Sequence, residues 1–105
     1  MAAKISTRDA AKISKAIRNG ENFQCHGSLS GEVAGAYVYT GKMPKTEAEN
    51  LRHLVECDEV AYVVYSYVTP IAYILRDGEY IVPDARYSVT TSKHQSTIRY
   101  ALSMI

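Results

Sequence analysis

The stretch VAYVVYSYVTPIAYILRDGEYIV, residues 60–82, decides the fold class. Its first nine residues are almost all β-branched or aromatic, the types that fit a pleated, half-buried surface. Val60, Tyr62, Val64, Ser66 and Val68 share one face, and Ala61, Val63, Tyr65 and Tyr67 share the other. Neither face is fully polar, which predicts a central strand covered on both sides. Thr69-Pro70 interrupts the run, because proline cannot donate to a strand ladder. IAYIL, 71–75, resumes it, and Asp77-Gly78 is a hairpin signal. YIV, 80–82, returns, and Pro83 stops it. The segment therefore predicts a three-strand meander, and the hairpin makes neighbouring strands antiparallel.

Working outward, GKMPKTEAENLRHLVECDE precedes the meander. Ala48, Leu51, Leu54 and Val55 have helical spacing, and Thr46-x-x-Glu49 reads as a capping box. Acids dominate the surface of this helix. Before it, NFQCHGSLSGEVAGAYVYTG is rich in small residues, with Phe23 to Cys25 and Tyr37 to Tyr39 as short strands. Gly27, Gly31 and Gly35 recur at every fourth position but match neither a phosphate loop nor a dinucleotide fingerprint. They are expected at bends or bulges between strands. At the N-terminus Ser6 or Thr7 caps a helix with Ala10, Ile13, Ala16 and Ile17 on one arc and Arg8, Lys12 and Lys15 on the next. Gly20 follows its end. A last helix is expected from Ser92, with Ser92-x-x-Gln95 as its capping box and Ile98, Ala101 and Leu102 turned inward. The whole reads as one α+β domain, residues 1–105, an antiparallel sheet with a central three-strand meander and three helices packed on it.

Composition agrees with a globular chain: 105 residues, 47% hydrophobic and 22% charged. Nine Tyr stand against one Phe and no Trp, so large aromatic area comes with a hydroxyl attached. The most apolar stretch is too short to span a bilayer, and the first residues lack the apolar run of a signal peptide. Cys25 and Cys57 make no disulfide framework, which fits a reducing, cytoplasmic setting. The net charge of +1 conceals a layout. Residues 1–18 hold five basic side chains and one acid, residues 19–84 four basic and ten acidic, and residues 85–105 three basic and no acid. Both ends are basic and the middle is acidic.

Residues 60–102 carry a recognisable pattern: Tyr62-Val63-Val64-Tyr65-Ser66-Tyr67, Thr69-Pro70-Ile71-Ala72, Asp77-Gly78 and Tyr87-Ser88-Val89-Thr90-Thr91-Ser92-Lys93-His94-Gln95. In this it resembles a family of small proteins encoded by bacteriophages and mobile elements of actinobacteria, a family of unknown function. The resemblance implies a phage or mobile-element origin and a cytoplasmic location, and it brings no activity, substrate or catalytic residue with it. The first 59 residues show no comparable match.

Candidate chemistry is sparse. His53 and Cys57 are i, i+4 on the middle helix, but Cys25 and His26 point to opposite faces of a strand, so a Cys2His2 zinc site is not expected. Cys25, or a hydroxyl of Ser88, Thr90, Thr91 or Ser92, could pair with His94, yet no nucleophile elbow is present. No catalytic residue, cofactor or metal is assigned, and the chain is read as a binding module, not an enzyme. The candidate nucleic-acid or anion contacts are Arg8, Lys12, Lys15, Arg86, Ser88, Thr90, Thr91, Lys93, His94 and Arg99. They join a basic helix to a hydroxyl-rich helix start, where free N–H groups favour anions. The leading expectation is non-specific, salt-sensitive contact with nucleic-acid phosphates. The alternatives are a host-protein or phage-assembly interaction and a small phosphorylated ligand. A homodimer is compatible with each, and a membrane with none.

Overall fold

The computed structural model describes residues 3–7, 9–25, 28–35, 38–83 and 89–104, with the backbone alone for Ala3, Lys4, Val89 and Thr90. In chain order the elements are β1 (Ala3–Ile5), α1 (Ala10–Arg18), β2 (Phe23–Cys25), β3 (Leu29–Val33), α2 (Lys45–Glu56), β4 (Val60–Ser66), β5 (Thr69–Leu75), β6 (Tyr80–Ile81) and α3 (Val89–Leu102). The strands form one sheet in the order β1-β2-β3-β4-β5-β6. β1 pairs parallel with β2, and every other pair is antiparallel. The fold is α+β, and the expected meander is β4-β5-β6. The sheet is nonetheless larger than three strands.

β4 lies between β3 and β5 with both faces covered, as its two-sided apolar pattern requires. Tyr62 and Val64 join one core cluster, with Ile13 and Ile17 of α1 and Ile98 and Leu102 of α3. Val63 joins a second, with Ala48 and Leu51 of α2, Val38, Met43 and Tyr73. So α1 and α3 cover one face of the sheet and α2 part of the other. Burying an Ile or Leu side chain on this scale stabilises the fold by about 1.5–3 kcal/mol each. The alternation of β4 slips at its start. A bulge at Ala61 lets Val60 join Val63 in the second cluster, not Tyr62 in the first. A second irregularity leaves Ile71 of β5 without a partner, next to Pro70, and the turn itself falls on Tyr67 and Val68. Proline is thus tolerated beside a bulge, inside a strand. At the far end Leu75 N–H donates to Glu79 and Gly78 N–H to Leu75, closing the hairpin at Asp77-Gly78.

Three local expectations are corrected. The strand expected at 37–39 lies instead at Leu29–Val33, while Val38 is buried against α2 without being a strand and Tyr37 falls outside the described residues. Gly31 is at the centre of that strand, where its bare backbone leaves room for the rings of Phe23 and Tyr62. Second, the expected caps give way. Asp9 caps α1 by accepting from Lys12 N–H, α2 starts after Pro44 with no side-chain cap, and Thr46 is its second residue. Proline there supplies a fixed φ ahead of the first turn. Third, α3 begins at Val89, so Ser92 is its fourth residue and its carbonyl accepts from Ser96 Oγ. Gln95 reaches Pro83 O at 3.4 Å and does not close a box with Ser92.

Between β3 and α2 the chain turns at Gly41, which has φ +53. A Cβ there would lie 2.7 Å from Val68 O and 2.8 Å from Thr69 Cα. Lys42 N–H donates to Thr69 Oγ1 at 2.9 Å. This close seat fixes residues 38–43 against the β4–β5 turn and so places Tyr39 beside Tyr67 and Val68.

Candidate functional site

The expected contact residues fall into three groups. Lys12 and Lys15 on α1, and Lys93 and Arg99 on α3, are exposed. Thr91 and His94 turn inward. Arg8, Arg86 and Ser88 lie outside the described residues, as does the side chain of Thr90.

The first group is brought together by the fold. α1 and α3 pack against each other on one face of the sheet. On α1, Lys12, Lys15 and Arg18 follow at i, i+3 and i+6, all exposed, and the helix itself carries no acid. On α3, Lys93, Ser96 and Arg99 repeat that spacing with a serine in the middle, again with no acid in the helix. Steps of three keep such residues on one winding stripe of the solvent side. The Asp9 carboxylate reaches Lys12 Nζ at 3.8 Å, an exposed pair that neutralises little. Tyr100, 63% exposed, stands seven residues after Lys93 on the same side of α3. Arg18 and Tyr100 were not among the expected contacts. Arg18 is legible as the next step of the α1 stripe. Tyr100 becomes notable only because its ring is left out of the core.

The second group has a different role. Ser66 Oγ, 1% exposed, lies 2.7 Å from His94 Nδ1 and 3.0 Å from Thr91 Oγ1. Thr91 and His94 are i, i+3 on the inner side of α3, over the end of β4. Burial holds the His94 imidazole below its ordinary value, so the ring is neutral at pH 7. The three side chains join α3 to β4 through hydrogen bonds where the neighbouring contacts are apolar. The strand pattern already placed Ser66 in line with Tyr62 and Val64. A hydroxyl on an apolar face needs a partner, and that was the available signal.

His94 therefore bonds Ser66, not Cys25. Cys25 is packed in the first core cluster, and burial pushes its thiol up to about 11. Cys57 is exposed at the end of α2, with Sγ 3.8 Å from His53 Nε2. Since α2 covers the opposite face of the sheet from Cys25, the two cysteines and His53 do not converge. No group of three or more metal-ligating side chains occurs among the described residues. Iodoacetamide is expected to modify Cys57 alone in the native protein and both thiols in denaturant, read by intact mass. Native modification of Cys25 as fast as Cys57 would contradict its burial.

On the α2 side, among the described residues, the sheet is left open beyond the edge of that helix. Ser30, Glu32, Tyr39, Tyr65, Tyr67 and Val68 line a cleft of about 320 Å³. Ser30 pairs with Tyr65 and Glu32 with Val63, so β3 and β4 form its floor. Tyr39 and Tyr67 are 56% and 58% exposed, and Val68 59%. Burial, with a smaller contribution from the Glu32 carboxylate, pushes the Tyr65 phenol up to about 12. Tyr67 holds φ +59 in the two-residue turn, which is costly for a bulky side chain.

Fold and surfaces together define a small α+β sheet protein with a basic helical face and an open, tyrosine-lined sheet face. The chain belongs to DUF8033, a family of unknown function, which it matches over residues 5–103. The match begins at Ile5, the last residue of β1, and takes in α1 and the strands between α1 and α2, which the resemblance read from residues 60–102 did not reach. No curated protein and no solved structure matches the chain. Among the described residues, no helix is long and apolar enough to cross a membrane.

Proposed function

We propose that this protein is a phage- or mobile-element-encoded accessory protein of the host cytoplasm. In this reading it is a non-catalytic binding module that contacts nucleic-acid phosphates through α1 and α3. The observation that carries the reading is the packing of α1 against α3, which sets the basic residues of these two helices on one side of the sheet. The footprint consists of Lys12, Lys15, Arg18, Lys93 and Arg99, with Arg8, Arg86, Ser88 and Thr90 adjoining it in sequence. Thr91 and His94 are engaged with Ser66 and serve the footprint by holding α3 in place. Such contacts position a protein on a backbone without reading sequence. Tyr100, exposed on the same helix, favours single strands, where a ring can stack on an unpaired base.

The test is binding of labelled single-stranded and duplex DNA at several salt concentrations. Affinity should fall with salt at a logarithmic slope of about −0.9 per phosphate contacted on duplex and about −0.7 on single strands. Lys12→Glu with Lys15→Glu should weaken binding at least about tenfold at low salt and flatten the slope by about two contacts. Ser96→Lys completes the α3 stripe and should steepen the slope by about one. No binding at low salt, or a slope indifferent to all three changes, would end this reading.

A further inference from the structure

The cleft between β3, β4 and the 38–43 segment has a chemistry opposite to that of the helical face. Among the described residues its walls are three phenol rings, Tyr39, Tyr65 and Tyr67, and its one charged lining group is the Glu32 carboxylate. No Lys or Arg of the described residues forms an ion pair with Glu32. Aromatic faces attract cations, and an unpaired carboxylate beside them adds a full negative charge. Phosphates and other anions are repelled by the same arrangement. At about 320 Å³ the cleft is at the small end of ligand sites, which run from about 300 to 1,000 Å³.

A second, smaller cleft of about 220 Å³ lies along the same strand, lined by Asn22, Phe23, Gln24, Ser30, Gly31 and Glu32. Ser30 and Glu32 belong to both, so the two adjoin across β3. The first can take a cationic side chain. The second offers the Gln24 amide and the Asn22 NH2 group, the Asn22 Oδ1 already accepting from Val33 N–H at 2.8 Å, and these suit a peptide backbone. Planar guanidinium stacks on aromatic rings and bonds a carboxylate through two parallel N–H groups, whereas ammonium does neither.

We propose that this cleft binds an arginine side chain of a polypeptide partner, with the guanidinium between the tyrosines and on Glu32 and the flanking chain over β2 and β3. It is a second binding surface, on the other side of the sheet from α1 and α3, and it stands independently of nucleic-acid binding.

The probe is acetyl-Gly-Arg-Gly-amide, titrated into the isotopically labelled full chain and followed by backbone amide shifts. The control is the same peptide with citrulline, which keeps the shape of arginine and removes the charge. The arginine peptide should move the amides of Ser30, Glu32, Tyr39, Tyr65 and Val68, saturating in the millimolar range. Citrulline, Glu32→Gln and Tyr39→Ala should each weaken it about fivefold or more. Glu32→Gln changes one exposed oxygen to nitrogen, so an unchanged spectrum elsewhere verifies the fold. Equal binding of arginine and citrulline peptides, shifts located on α1 and α3, or no shifts at all would overturn the proposal. So would movement of the same cleft amides on simple dilution of the free protein, which would assign the cleft to a second copy of this chain.

Discussion

Gly31→Ala is expected to destabilise the protein by about 2 kcal/mol, more than an added methyl in a strand ordinarily costs. The position faces the cluster under α1 and α3, in register with Phe23 on one side and Val64 on the other. A Cβ there would overlap Phe23 Cε1 and lie 2.8 Å from Phe23 Cδ1 and 2.7 Å from Tyr62 Oη. Neither ring can step aside freely. Phe23 is fully enclosed, and the Tyr62 hydroxyl donates to Glu21 O at 2.7 Å. Overpacking of this kind costs about 1–3 kcal/mol, and displacing Tyr62 adds about 0.5–1.5 kcal/mol for its hydrogen bond. Removing glycine's freedom from the unfolded chain returns about 0.4–1 kcal/mol. The clash wins. The midpoint of thermal unfolding should fall by roughly 8–16 °C.

The cause can be separated from a general effect on the strand. Phe23→Leu alone should destabilise, because it removes ring volume from a full core. Combined with Gly31→Ala it should recover part of the loss, giving a coupling of about 1 kcal/mol in a double-mutant cycle. A neutral Gly31→Ala, or two strictly additive changes, would mean that the rings over β3 are not held as the register implies.

This glycine also explains why half of the sheet was hard to read. The meander announced itself through β-branched and aromatic residues with a hairpin turn between them, all within 23 residues. LSGEV carries only one such residue, Val33 at its end, and a glycine at its centre, so it resembled a loop. It is a strand because its partners need an empty position there, a fact that belongs to Phe23 and Tyr62. β1 is three residues long and pairs in parallel with β2 across the whole of α1, leaving no local periodicity to find. The start of α3 shows the opposite error. Ser92 and Gln95 read locally as a cap, but Thr91 is within reach of Ser66 only if the helix is already formed around it. The charges of the basic face were legible one by one. Their adjacency depends on α1 and α3 sharing a face of the sheet. The tyrosines of the cleft come from a loop, a strand and a turn, and nothing in their spacing joins them.

Acid should weaken the fold through His94, and His94→Asn should abolish that dependence. In the native protein the imidazole is neutral, buried under α3 with Nδ1 on Ser66 Oγ, and desolvation lowers its affinity for a proton. In the unfolded chain the same group titrates near the ordinary histidine value of about 6.5. Between those two values the unfolded state binds more protons, so stability rises with pH. The contribution is fully present above about pH 6.5 and is lost as pH falls through that value toward the lower native one. The limiting slope for one proton is about 1.4 kcal/mol per pH unit. Asparagine places a polar atom near the position of Nδ1, keeps a partner for Ser66 and cannot titrate in this range. Its stability at pH 7 should be lower than that of the native protein because ring volume is lost, while the difference narrows toward pH 5. His94→Ala removes the partner as well as the volume and should cost about 2–4 kcal/mol at pH 7. Because the other titrating groups are common to all three proteins, subtracting the denaturation curves isolates His94. Parallel stability–pH profiles for native and His94→Asn proteins would show that burial under α3 does not lower the proton affinity of His94 below that of the unfolded chain.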